Sequence, residues 1–227
     1  MKKNWTIIIT GVLVSFFVMG CSPSSSQEDQ VPHYRFSSAD LAQIIQYPYT
    51  PGQQLTYSNA NGETLHFRVL SNTTKKKGTY SQGTFSGGGG ILQSYYDSKV
   101  IRLEIIENQA ASPYEQVIYI FSKSENQFKN GIRFPIWNFE NYSFVDEIDQ
   151  PFNINLIPYN YSTPTTISIN GRSFSTVAIN SQNTSPLLNS GGGALPNSIR
   201  KVDYDFSFGI VQFEDTNGVL WKVNYPN

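Results

Sequence analysis

The sequence predicts an all-β fold with a minor helical part, arranged as an antiparallel sandwich or half-barrel with one short N-terminal helix. Three observations lead to this class. Apolar and polar residues alternate over short segments along most of the chain, as they do in strands with one buried face. Turn signals rich in Gly, Asn and Asp separate these segments about every eight to twelve residues, which is typical of hairpin-connected sheets. A helical pattern occurs only before the first hairpin.

The first predicted element is a helix over residues 38–46. Ser38 is expected to be its N-cap, because a serine hydroxyl accepts a hydrogen bond from a free amide at a helix start. The stretch 47–52 contains two prolines and a glycine and ends the helix. The apolar face of the helix consists of three residues, Leu41, Ile44 and Ile45.

The rest of the chain reads as strands joined by tight turns. Three turn sequences place glycine where a positive φ is needed: Asn59-Ala60-Asn61-Gly62, Asn170-Gly171 and Asp215-Thr216-Asn217-Gly218. The segment 116–122 is apolar on both faces, which predicts a central or covered strand. The predicted strands are 54–58, 64–70, 99–106, 116–122, 165–169, 172–179, 201–206, 208–213 and 219–225.

Composition excludes several classes of protein. The 227 residues include 16 basic and 17 acidic residues, and only 15% are charged. This balance argues against a nucleic-acid partner, which requires a clustered basic surface. With 39% hydrophobic and 14% aromatic residues, the chain is too apolar for a disordered protein. Its single cysteine excludes a disulfide framework and a site with several thiolate ligands.

The first 21 residues have the features of an export signal. Lys2 and Lys3 precede an apolar run over residues 5–19, which is shorter than the roughly twenty residues of a membrane span but suits a signal peptide. The run ends at Val18-Met19-Gly20-Cys21. This sequence resembles the lipobox of bacterial lipoprotein precursors, with Val18 where that family usually has leucine. The resemblance implies cleavage before Cys21, acylation of Cys21 and a lipid-anchored mature protein.

We therefore expect a signal peptide over 1–20, a flexible tether over 21–32 and one β-domain over 33–227. The tether is small, polar and proline-containing. Its Gln27-Glu28-Asp29 is similar to the acidic patches of surface-exported lipoproteins of Bacteroidota. Cleavage would remove Lys2 and Lys3, lowering the basic count from 16 to 14 against 17 acidic residues, a formal charge of −3.

Two segments of the domain also resemble known envelope proteins. The closing segment 209–221 is similar to a C-terminal pattern of Bacteroidota lipoproteins. The hairpin 167–179 followed by this segment resembles the curved half-barrel sheet of lipoprotein-carrier-like periplasmic proteins. That resemblance implies an acyl ligand between the concave face of the sheet and the short helix.

Catalytic and cofactor motifs are absent from the sequence. It contains no G-x-S-x-G, and its glycine runs 87–90 and 191–193 lack the Lys-Ser or Lys-Thr of a phosphate loop, so both are expected to be surface loops. His33 and His66 are far apart, and His66 is expected on the solvent face of a strand. We therefore expect no metal, no cofactor and no enzymatic activity.

Charged clusters leave weaker alternatives. Asp146, Glu147 and Asp149 could bind calcium, although they lack EF-hand spacing. Asp203 and Asp205 are expected to mark the solvent side of one strand, and paired carboxylates leave a hydrolase as a weak alternative. The run 75–77 is expected at a loop tip, where its lysines are either solvated or touch anionic lipid headgroups.

The stretch 134–144 holds five aromatic residues beside amide side chains, a combination that suits a sugar-binding surface or a core. The candidate ligand contacts are Trp137, Phe139 and Tyr142. The main expectation is a non-enzymatic lipoprotein, anchored in the outer membrane and facing the periplasm or the exterior, that binds an apolar or acyl ligand or a protein partner. The alternative is a surface glycan-binding module.

Overall fold

The computed structural model describes residues 31–81, 90–107, 116–125, 127–133, 163–180 and 199–225. The described residues from His33 onward belong to one unit. Within these ranges, one four-residue helix, α1 (Ser38–Leu41), accompanies eleven strands. The strands are β1 (His33–Tyr34), β2 (Gln54–Asn59), β3 (Thr64–Tyr80), β4 (Leu92–Ile105), β5 (Gln116–Lys123), β6 (Phe128–Arg133), β7 (Thr165–Ile169), β8 (Arg172–Asn180), β9 (Ile199–Asp205), β10 (Gly209–Asp215) and β11 (Leu220–Asn224).

All eleven strands belong to one open sheet, which confirms the all-β prediction. Ten of them run in the order β6-β5-β4-β3-β2-β11-β10-β9-β8-β7, and β1 pairs with β4. Every pairing along the order of ten is antiparallel, whereas β1 runs parallel to β4. The two halves of the chain thus meet where β2 pairs with β11.

The sheet curves so that its two halves face each other across the core. Tyr119 on β5 accepts a hydrogen bond from the backbone N–H of Ile210 on β10 at 3.2 Å, although four strands separate β5 from β10 in the sheet. The ring of Phe67 on β3 stacks on that of Phe213 on β10, with centroids 6.3 Å apart. This architecture agrees with the predicted half-barrel or sandwich.

The prediction that the fifth strand is covered on both faces is confirmed. Val117, Tyr119 and Phe121 are buried on the core face of β5, and Ile118 on the opposite face is only 4% exposed. Ile120 beside it is half-buried. Burial on both faces explains why apolar and polar residues do not alternate along β5.

The predicted helix begins at residue 38 as expected, but it is shorter than expected and its N-cap lies one residue earlier. Its N-cap is Ser37, not Ser38, and it forms a capping box with Asp40. The helix ends at Leu41, which is 48% exposed rather than buried. Bonds from Gln43 N–H to Asp40 and from Ile44 N–H to Leu41 tighten the chain after the helix. Ile44 and Ile45 are buried as predicted, but Leu41 is not, because the chain after Leu41 does not continue as one helix.

The predicted hairpin at Asn170-Gly171 is confirmed. These residues join β7 to β8 with φ angles of 48° and 79°. Two successive positive φ values are the requirement of a type I′ turn, which matches the twist of the flanking strands. The strong local preference of Asn-Gly for this turn therefore sets the register of β7 against β8.

The prediction of a loop tip at Lys75, Lys76 and Lys77 is wrong. These lysines lie inside β3, where they pair with residues 96–98 of β4. β3 continues to Tyr80 instead of ending at residue 70, and β4 begins at Leu92 instead of residue 99. The extension was not predicted because both of its faces are largely polar, so it has no apolar alternation.

Candidate functional site

Residues 33–49, here called the N-terminal segment, cross the inner face of the sheet. Asp40 forms an ion pair with Lys123 of β5 at 2.9 Å. Lys99 of β4 donates from Nζ to the carbonyl oxygen of Ile45 at 2.9 Å. The amides of residues 46 and 47 both donate to the carbonyl oxygen of Ser207 at 2.8 Å. The segment is therefore tied to both halves of the curved sheet.

The N-terminal segment fills the concave face over the part of the chain that the structure describes. Ile44, Ile45 and Tyr49 are 2%, 0% and 3% exposed and belong to the same core as Ile101 and Val117. The Tyr49 hydroxyl donates to the Phe208 carbonyl oxygen at 2.7 Å. The chain's own side chains thus occupy the space between sheet and helix where an acyl ligand was expected.

Three buried tyrosines brace this core. The Tyr57 hydroxyl donates to the Ile210 carbonyl oxygen at 2.7 Å, and Tyr119 accepts from the Ile210 amide. Burial raises the pKa of Tyr49, Tyr57 and Tyr119 well above the usual tyrosine range. All three phenols therefore stay neutral near pH 7 and act as structural hydrogen-bonding groups.

An aromatic cluster lies where the N-terminal segment meets β8 and the end of β11. It is here called the aromatic rim and comprises Tyr47, Phe174, Phe208 and Tyr225 with the side chains of Gln53 and Arg172. The Tyr47 ring meets the rings of Phe208 and Tyr225 edge-on, at centroid distances of 4.8 and 5.7 Å. Phe208 and Phe174 are buried beneath, whereas Tyr47 and Tyr225 are half-buried. The two half-buried tyrosine rings of the rim thus pack on two buried phenylalanine rings.

Polar groups flank these two rings. The exposed Arg172 places its guanidinium carbon 3.8 Å from the centre of the Tyr225 ring, within the range of a cation–π interaction. Gln53 donates from Nε2 to the Tyr47 hydroxyl oxygen at 2.6 Å. Burial raises the pKa of Tyr47, so its phenol is protonated near neutral pH. The rim therefore combines two half-buried tyrosine rings with a guanidinium and a side-chain amide.

The prediction that Asp203 and Asp205 mark the solvent side is wrong. They are 2% and 5% exposed. Asp205 accepts hydrogen bonds from the backbone amides of Ser175, Ser207 and Phe208 at 2.8–3.0 Å. Since Asp205 braces the turn between β9 and β10, its role in this structure is to satisfy buried backbone donors.

The Asp203 carboxylate is likewise held by neighbouring side chains of the sheet. Lys201 lies 3.0 Å from one carboxylate oxygen, and Gln212 donates to the other at 2.6 Å. Asp203 and Asp205 are consecutive on one face of β9. Both carboxylates are thus engaged by neighbouring side chains and backbone amides.

The two histidines are held separately by carboxylates. His33 Nε2 lies 2.8 Å from Asp97 Oδ1. His66, half-exposed on β3 as predicted, binds Glu107 through its ring and its amide. Within the described ranges, no group of three or more His, Cys, Asp or Glu side chains is placed to hold a metal ion.

Several predicted site residues fall outside the described ranges. They are Cys21, Trp137, Phe139, Tyr142, Asp146, Glu147 and Asp149. The leader 1–20, most of the tether and the glycine run 191–193 lie outside as well, as do residues 87–89 of the other run. Of the helices that the structure does describe, none has the length and apolar character needed to cross a membrane.

Sequence reasoning missed the aromatic rim. In the sequence, Tyr47 belongs to the stretch 47–52 that ends the predicted helix, and Tyr225 ends the predicted strand 219–225. The two lie 178 positions apart, and no local sequence pattern indicates a contact between residues at opposite ends of a domain.

No family model, curated protein or solved structure matches this chain.

Proposed function

We propose that the chain is a lipid-anchored, non-enzymatic binding domain of the bacterial cell envelope that holds a protein partner at the aromatic rim. Cys21 would carry the acyl anchor in the outer membrane, and the tether would give the domain reach. The observation that carries the proposal is the half-buried pair Tyr47 and Tyr225, with the Arg172 guanidinium 3.8 Å above the ring of Tyr225.

The residue types of the rim suit a protein interface. Tyrosine and arginine are enriched among the residues that dominate binding energy in protein complexes. Phe208 and Phe174 support the rings from below, and Gln53 fixes the Tyr47 hydroxyl. Because these side chains are already ordered, binding loses little conformational entropy at the rim.

The filled concave face favours the protein partner over an acyl ligand. An acyl chain bound there would have to displace Ile45 and Tyr49, which are 0% and 3% exposed. It would also break the bond from Tyr49 to the Phe208 carbonyl oxygen. Leaving that buried carbonyl unpaired costs about 1–3 kcal/mol beyond the lost packing.

A glycan is the second candidate, and the Gln53 amide beside the Tyr47 ring favours it. A sugar would use the ring face and the amide together. Such a site would use residues other than the expected contacts Trp137, Phe139 and Tyr142, which lie outside the described ranges.

The binding proposal can be tested by cross-linking in the native envelope. A benzophenone amino acid replaces Tyr225 in the full chain, and the same probe at Lys222 is the control, since that side chain is exposed and lies in the same strand region. We expect a discrete protein adduct from position 225 only. Arg172→Ala should weaken it, because losing such a contact costs about 2 kcal/mol, roughly thirtyfold in Kd.

The outcomes separate the candidates. Equal adducts from both positions, or an adduct unchanged by Arg172→Ala, would contradict a specific partner at the rim. If no protein adduct forms and the chain binds a glycan array through Tyr47, the glycan reading replaces the protein partner. If neither occurs, both binding hypotheses fail.

The anchor requires its own experiment. Cells fed a clickable fatty acid should label the wild-type chain and should not label Cys21→Ala. The chain has no other cysteine, so the substitution removes every candidate thiol. Label that persists in Cys21→Ala would refute acylation at this residue.

A further inference from the structure

Strand β7 lies at one end of the strand order and has an open edge. It pairs with β8 over residues 165–169, and no other described strand pairs with it. Thr166 and Ser168 of β7 are exposed. Because an unpaired strand edge presents amides and carbonyls that can bond another chain, β7 offers a place where a further strand can be added.

The turn before β8 decides which backbone groups of β7 point out of the sheet. In a hairpin with a two-residue turn, the residues that flank the turn form a hydrogen-bonded pair, and such pairs alternate along the strands from there. The first pair joins Ile169 to β8, so every second residue back to Thr165 directs its backbone groups to β8. The Thr176 hydroxyl of β8 donates to the Thr165 carbonyl oxygen at 3.2 Å, in agreement with this direction. The amides and carbonyls of Thr166 and Ser168 therefore point away from the sheet.

The edge of β7 lacks the sequence features that usually block strand addition. Natural proteins place charged residues, prolines or bulges on exposed edges. The strand sequence Thr-Thr-Ile-Ser-Ile has no charged residue, proline or glycine, and its pairing with β8 has no register shift. Pro164, directly before the strand, has no amide hydrogen and so limits the open edge to Thr166 and Ser168.

Two residues of the aromatic rim are cross-strand neighbours of β7. Phe174 lies opposite Ile167, and Arg172 lies opposite Ile169. Arg172 is exposed, with its guanidinium carbon 3.8 Å from the centre of the Tyr225 ring. A strand added to β7 would lie about 10 Å from β8, a separation that an arginine and a glutamate side chain can span together. The open edge and the rim are therefore continuous.

Charge at this edge favours an acidic occupant. Arg172 is the only charged residue between positions 163 and 180. A guanidinium that stacks on an aromatic ring can still bind a carboxylate through its N–H groups, often with two bonds. A second copy of the chain would bring its own residues 163–169 to this edge, and these contain no carboxylate. Self-pairing would thus leave Arg172 without an opposite charge.

We propose that the protein partner of the rim supplies an extended acidic segment that adds to β7 as an edge strand. Its backbone bonds the outward amides and carbonyls of Thr166 and Ser168, and one of its carboxylates binds Arg172. Strand addition gives affinity through main-chain hydrogen bonds and specificity through side chains at alternate positions. Because the partner is the one proposed for the rim, strand addition rests on that proposed function.

The test uses the full chain in the native envelope, with the benzophenone amino acid in place of Tyr225. Thr166→Pro removes one outward amide hydrogen and places a ring at the edge, without removing a bond to β8. The matched control is Ser173→Pro on β8. Ser173 is exposed, lies opposite Ser168 in a pair without hydrogen bonds, and precedes the residues of β8 that pair with β9. Circular dichroism and urea unfolding show whether both variants are folded.

We expect Thr166→Pro to lower the yield of the protein adduct at least about tenfold, because it removes one backbone bond and leaves a carbonyl of the partner unpaired. Ser173→Pro should keep the adduct. A second measurement needs no substitution in β7: in the isolated wild-type adduct, the amides of Thr166 and Ser168 should exchange with deuterium more slowly than in the free chain. Mass spectrometry should map the cross-link to a partner segment that contains Asp or Glu.

The outcomes separate strand addition from binding at the rim. A wild-type adduct that Thr166→Pro leaves unchanged, with fast exchange at Thr166 and Ser168, would overturn strand addition and leave a partner at the rim. An equal loss in both proline variants, a cross-linked segment without an acidic residue, or an adduct between two copies of the chain would also overturn it. The absence of any adduct in wild type would instead refute the function proposed for the rim.

Discussion

Removing the Ile45 side chain tests whether the N-terminal segment is part of the core. Ile45 is 0% exposed, and its Cδ1 would lie 3.2 Å from a Cβ on Gly209. Ile45→Ala removes three carbon atoms, worth about 2.4 kcal/mol of transfer free energy. A cavity term adds to this loss, so we expect unfolding to become easier by about 3–4 kcal/mol.

The assay is urea unfolding of the full chain in mild detergent, followed by tryptophan fluorescence and circular dichroism. The control is Leu41→Ala, four residues earlier and 48% exposed, which should change the free energy of unfolding by no more than about 0.5 kcal/mol. A loss below about 1 kcal/mol in Ile45→Ala, or equal losses in both variants, would refute the claim that this segment fills the concave face.

Two other substitutions test the contacts that hold this segment and the turn beneath it. Burial raises the pKa of Asp40, but hydrogen bonds from Ser37 and the ion pair with Lys123 outweigh it and lower this pKa below 3.8. The ionised Asp40 therefore stabilises the folded protein above about pH 4, and this contribution is lost as the pH falls further. Asp40→Asn should therefore cost about 1–2 kcal/mol at pH 7, and the difference from wild type in urea titrations should shrink below pH 4; a constant difference would contradict the linkage. Gly209→Ala should cost more than Gly171→Ala, because both have positive φ but only the Gly209 Cβ would meet a neighbour, the Tyr119 hydroxyl at 3.0 Å. Equal melting temperatures for the two alanine variants would contradict that packing.

The elements predicted correctly are those specified by local sequence. Asn170-Gly171 selects a type I′ turn by its own backbone preference, whatever surrounds it. Both faces of β5 carry apolar residues, and apolar residues are normally buried, so the sequence of this strand indicated that both faces are covered. Local preference and burial pattern together were enough for the all-β class.

The elements predicted wrongly depend on contacts between distant residues. Lys75 to Lys77 lie in a strand because β4 pairs with them, and a largely polar ribbon has no alternation to reveal this. The positions of Asp203 and Asp205 two residues apart correctly placed them on one face. The spacing does not indicate that this face of β9 is buried, or that backbone amides around Ser207 donate to Asp205.

The candidate site could not be predicted for the same reason. The rim joins Tyr47 to Tyr225 and Arg172 through folding of the whole domain. Each residue alone has an ordinary structural explanation in its own segment. Only the curvature of the sheet, which brings β8, β11 and the N-terminal segment together, makes them neighbours.

Native mass spectrometry of the chain purified from its own membrane tests the central claim most directly. We expect wild type to retain a protein partner that Arg172→Ala loses, with no acyl lipid bound beyond the one attached at Cys21. A non-covalently bound acyl lipid retained by both wild type and Arg172→Ala, with no protein partner, would contradict the filled concave face and the binding role of the rim.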